Sequence, residues 1–69
     1  MKQQLIKGLK AKYKGEIGEA EANVLVYLTN PVGIGEHPDI IAAIDVQMIK
    51  IAEAEDKLMV LDKYFDKDL

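Results

Sequence analysis

The chain's one histidine, His37, stands beside Pro38 and Asp39, and acids recur in pairs at helical spacing, Glu16 with Glu19 and Glu53 with Asp56. An imidazole and carboxylates sharing helix faces are the donors of a di-metal bundle, which needs Glu-x-x-His turned into the core. His37 falls in the Gly- and Pro-rich stretch between the two acid pairs, so it completes no such motif. A carboxylate metal-binding bundle stays open only as an alternative. Nucleophilic chemistry is less well supplied: there is no cysteine and no serine, and no acid–base pair stands around Thr29, whereas an activated hydroxyl needs an adjacent general base. Gly33-x-Gly35 lacks the lysine and hydroxyl residue of a phosphate loop and reads as a turn. The residue types thus imply no enzyme and no cofactor.

His37-Pro38-Asp39, set between two helical segments, resembles the hallmark tripeptide of J-domains, and that resemblance implies a co-chaperone acting through it. The likeness stops there. J-domains lead into the tripeptide with a basic helix and leave it by an extended loop; here Asn30 to Glu36 holds no base, and Ile40-Ile41-Ala42-Ala43-Ile44 starts a helix at once. Pro38 serves equally as a helix-start residue, where its missing N–H costs nothing. The whole stretch Asn30 to Asp39, with Ala54-Glu55-Asp56-Lys57-Leu58 and Tyr64-Phe65, is also similar to segments of short proteins encoded by marine tailed phages, including cyanophages. What this second resemblance implies is an origin, as a structural or host-modulating accessory protein made inside a bacterial host, and no activity.

These residues must be positioned by two long periodic segments. Leu5, Leu9, Tyr13, Ile17, Ala20, Val24 and Leu28 recur at helical spacing and predict a helix over about 2–29. Gly8, Gly15 and Gly18 weaken it by about 1 kcal/mol each relative to alanine, and Gly8 and Gly15, seven apart, mark either a close backbone approach or a frayed start. Asn23 to Leu28 is strand-like in composition but has no partner strand. Asn30, Pro31, Gly33, Gly35, His37 and Pro38 form the hinge over 30–37, since Pro31 stops one helix and Pro38 suits the first position of the next. The second helix is expected over about 38–66, and its carboxylates Glu36 and Asp39 favour the positive end of its dipole. The prediction is one all-α domain over residues 1–69, an antiparallel helical hairpin.

The second helix carries two apolar stripes. Ile44, Ile51, Leu58 and Phe65 form the hairpin seam, flanked by Ile41 and Met48 on one side and by Ala54 and Leu61 on the other. Ala42, Val46, Ile49, Val60 and Tyr64 lie opposite, with Glu53 among them. One partner helix covers one stripe, so the second predicts a homodimer closing a four-helix bundle, or another protein partner. Charge is lopsided: residues 1–14 hold five lysines and no acid, while the chain as a whole carries −3. Antiparallel packing sets those lysines beside Asp56, Asp62, Asp66 and Asp68. Arginine is absent, which removes the main bidentate reader of phosphate and guanine and excludes nucleic acid as the expected partner. Apolar runs of five residues fall far short of the roughly 20 that span a bilayer, and no h-region follows Lys2, so a cytoplasmic, non-enzymatic protein working through protein contacts is the expectation.

Overall fold

The computed structural model describes residues 1–30 and 39–66, and within them the chain is two α-helices, α1 (Lys2–Thr29) and α2 (Ile40–Tyr64), with no strand. Asn23 to Leu28 is helical despite its β-branched content, because packing along α2 outweighs a weak intrinsic preference. α1 ends where Asn30, at φ −144°, donates its N–H to the Val26 carbonyl; the next residue in sequence is a proline, with no N–H to extend the ladder. α2 begins at Ile40, later than Pro38, because Asp39 takes the N-cap: its carboxylate accepts a 2.9 Å bond from the Ala42 N–H. That satisfies one orphan donor and complements the helix dipole. α2 stops at Tyr64, short of residue 66, with the Phe65 N–H donating to the Leu61 carbonyl.

Three cross-helix contacts fix the orientation. Asn23 Nδ2 donates to Gln47 Oε1 at 3.1 Å, the Lys57 ammonium lies 5.6 Å from the Tyr13 ring centre, and Lys10 pairs with Asp66. As the α1 number falls the α2 number rises, so the helices are antiparallel and the fold is a helical hairpin. The seam on α1 runs through Ile6, Lys10, Tyr13, Ile17, Ala20, Val24 and Tyr27, and on α2 through Ile40, Ile44, Gln47, Ile51, Ala54, Leu58 and Leu61; all are buried or half-buried. Both lines step alternately by four and three, the heptad of a two-stranded coiled coil.

This seam differs from the sequence expectation in two places. Leu5, Leu9 and Leu28 belong to the predicted α1 stripe yet are exposed, Leu5 to 63%. Each step of four overshoots a full turn by about 40°, so a run of such steps winds around the helix and leaves the contact line. On α2, Ile44, Ile51 and Leu58 stand in the seam, but the helix is rotated toward Ala54 and Leu61, which are buried with Gln47. Phe65 (57%), Met48 (51%) and Ile41 (82%) face outward instead. The α1 glycines mark no close approach among the described residues, since a Cβ on Gly8, Gly15 or Gly18 would meet nothing within 4 Å.

The hairpin measures 48 × 16 × 15 Å. Its radius of gyration is 15.4 Å, against about 11 Å for a compact chain of this length. The exposed surface, 5433 Å², likewise exceeds the roughly 4,300 Å² of a compact monomer of this mass. Among the described residues the core is a single helix–helix seam.

Candidate interaction surface

Large apolar side chains exposed among the described residues gather at the two ends of the rod. Met1, Leu5, Leu9, Met59, Val60, Tyr64 and Phe65 lie at the terminal end, and Leu25, Val26, Leu28, Ile41, Val46, Met48 and Ile49 at the hinge end. Between them, over residues 10–24 and 50–58, no large apolar side chain is exposed. The stripe read from the sequence is distributed in the same way: Ala42, Val46 and Ile49 at the hinge end, Val60 and Tyr64 at the terminal end, all exposed, with Glu53 exposed between them. Tyr64 meets Phe65 edge to face at 6.3 Å, and the Lys63 ammonium stands 5.2 Å from the Tyr64 ring centre.

At the terminal end the two helices leave a groove of about 640 Å³. Leu5, Leu9 and Tyr13 of α1 form one wall, Val60 and Leu61 of α2 with its C-cap Phe65 the other, with Lys57 and Asp56 toward the middle of the rod. The next depression on this edge shares Lys57 and is lined by Glu16, Glu19, Lys50 and Glu53. Leu5 and Leu9 are the part of this surface that sequence reasoning missed. Their signal was the misfit of consecutive four-residue steps to a 3.5-residue repeat.

Around Gln3, Gln4, Lys7 and Lys10 the wall is polar, and Lys10 crosses to Asp66. The hydrogen bond to the Asp66 carboxylate raises the Lys10 ammonium above its ordinary value; desolvation opposes this, and the charges of Asp66 and Asp62 add to the rise. Gln47 is the one buried polar side chain among the described residues, and Asn23 satisfies it.

Of the hinge residues, Asn30 is the exposed C-cap of α1, while Pro31, Gly33, Gly35, His37 and Pro38 lie outside the described residues. Asp39, the last member of the His-Pro-Asp tripeptide, uses its carboxylate to cap α2. The carboxylate pairs are exposed, with Glu16 taking a 3.1 Å bond from Lys12, and among the described residues no three His, Asp or Glu side chains converge as metal ligands. No described helix is long and apolar enough to cross a membrane. No family model matches this chain, and no curated protein or solved structure matches it either.

Proposed function

We propose that this protein is a self-associating helical hairpin, a homodimer closing a four-helix bundle, that works through protein contacts and carries out no chemistry of its own. The observation that carries the reading is the exposed outer surface of α2, where Ala42, Val46, Ile49, Val60 and Tyr64 all stand in solvent, while among the described residues the buried apolar side chains are Ile6, Ala20, Ala54 and Leu61. Each aliphatic side chain moved from water into a contact contributes roughly 1.5–3 kcal/mol, so these exposed residues are a reserve of stability beyond the seam. Closed two-fold dimers are the commonest way soluble chains use such a reserve. The resemblance to phage proteins supplies a setting, the cytoplasm of a bacterial host, where the dimer would serve as a structural piece or occupy a host protein. Sedimentation equilibrium tests the reading. The parent should weigh twice the 7.7 kDa chain, and the double variant Val46→Glu/Val60→Glu should weigh one chain and lose helicity. A parent that is monomeric and fully helical overturns it.

A further inference from the structure

We infer that the second copy docks along one particular edge of the rod, the edge that carries the terminal groove, and that α1 supplies half of the surface through Leu5 and Leu9; this rests on the dimer reading above. Residues seven apart on a helix lie nearly in line. One such line on α1 is Leu5, Lys12, Glu19, Val26, and one on α2 is Val46, Glu53, Val60. Each reads apolar, charged, apolar along the rod. That both belong to one edge follows from the walls: Leu5 and Val60 face each other across the groove, and Glu19 and Glu53 line the depression that adjoins it at Lys57.

The occupant is a second copy because this edge is complementary to itself. Its central band holds Lys12, Lys50 and Lys57 with Glu16, Glu19, Glu53 and Asp56, three lysines and four acids, so two such bands can meet at opposite-sign pairs where a band of one sign would repel its own copy. With apolar residues at both ends, a two-fold mate sets apolar on apolar whichever way the rod points. The area agrees as well: each chain exposes about 1,100 Å² beyond a compact monomer, so a pair that removed the excess would bury about 2,200 Å², within the range of obligate homodimers. The opposite edge is less suited, since its terminal end is polar, with Gln3, Gln4 and Lys7 beside Lys10, which crosses to Asp66. Ala42 and Ile49, directly behind the seam, fall at the margin of the docking face.

The test compares Leu9→Glu, on the proposed edge, with Leu28→Glu, which is exposed at the hinge end off the Leu5–Val26 line. By sedimentation, Leu9→Glu should weaken dimerisation by about a hundredfold or more, the effect of a carboxylate forced into an apolar contact, while Leu28→Glu should dimerise like the parent. Should Leu9→Glu unfold, single-cysteine variants give a second readout. The thiol of Val60→Cys should react more slowly with an aromatic disulfide reagent as protein concentration rises, and that of Met48→Cys should not. Monomer from Leu28→Glu with dimer from Leu9→Glu, or equal thiol reactivity at all concentrations in a dimeric protein, overturns the assignment of the edge and leaves self-association standing. A monomeric parent overturns both.

Discussion

Lys10 is the only charged residue in a seam line that otherwise reads Ile6, Tyr13, Ile17, Ala20, Val24 and Tyr27. A lysine is tolerated there because its stem covers apolar surface while the ammonium reaches out, here to Asp66 beyond the end of α2. Gln47 is the matching exception on α2, satisfied by Asn23. Polar groups at seam positions trade stability for register: a slip by one heptad would part both pairs and leave a buried amide unsatisfied, which costs about 1–3 kcal/mol. The Lys10 pair also makes stability depend on pH in a definite direction. Its ammonium is held above the ordinary 10.5 in the folded chain, chiefly by the hydrogen bond it donates to the Asp66 carboxylate, so its contribution is complete below about 10.5 and disappears as pH rises through the folded value. Chemical denaturation should therefore show Lys10→Met less stable than the parent near neutral pH, with the gap closing well above 10.5. A gap that stays constant across that range would show that the lysine acts through packing alone.

At the scale of the helices, α1 and α2 begin with opposite endowments. α2 has Asp39 as a capping carboxylate, whereas α1 has no side-chain cap, no acid in its first turn, and Lys2 at the positive end of its dipole. Asp39→Ala should lower stability by about 1 kcal/mol. Gly15→Ala should raise it by about 0.5–1 kcal/mol, because the position is helical and open and alanine costs less chain entropy than glycine. Thermal melts of the two variants at equal concentration check both signs, and a destabilising Gly15→Ala would reveal a neighbour that the single chain does not contain. The existence of both helices was legible in the sequence because Pro31 and the period of about 3.6 act locally. The rotation of each helix about its axis was not. It depends on the 3.5-residue repeat that two helices impose on each other, and Lys10 and Gln47, being polar, hid two rungs of that repeat. The far stripe of α2 could be read because Val46, Val60 and Tyr64 need no partner to be placed opposite Ile51. The exposure of Leu5 and Leu9 on α1 is not legible in this way, since both recur at helical spacing with the seam residues.

A rod of this shape has a consequence for how the whole molecule unfolds. Among the described residues only Ile6, Ala20, Ala54 and Leu61 are buried apolar side chains, two of them alanines, and the rest of the apolar seam is half-buried, which is little to set against the conformational entropy of two helices. If the second copy supplies the missing burial, folding and association are one transition, and the melting temperature must depend on how much protein is present. The size of the dependence follows from ordinary enthalpies: at about 0.7 kcal/mol per residue, a dimer of this chain unfolds with roughly 100 kcal/mol near 60 °C, so each tenfold rise in concentration should lift the midpoint by about 5 °C. Circular dichroism melts over a hundredfold range of concentration would resolve that slope easily. A midpoint that does not move would mean that the hairpin folds alone on its narrow seam, and that its apolar ends are kept for a different protein. A slope near the expected value that vanishes in Leu9→Glu would tie the stability of the fold to the edge that α1 and α2 build together.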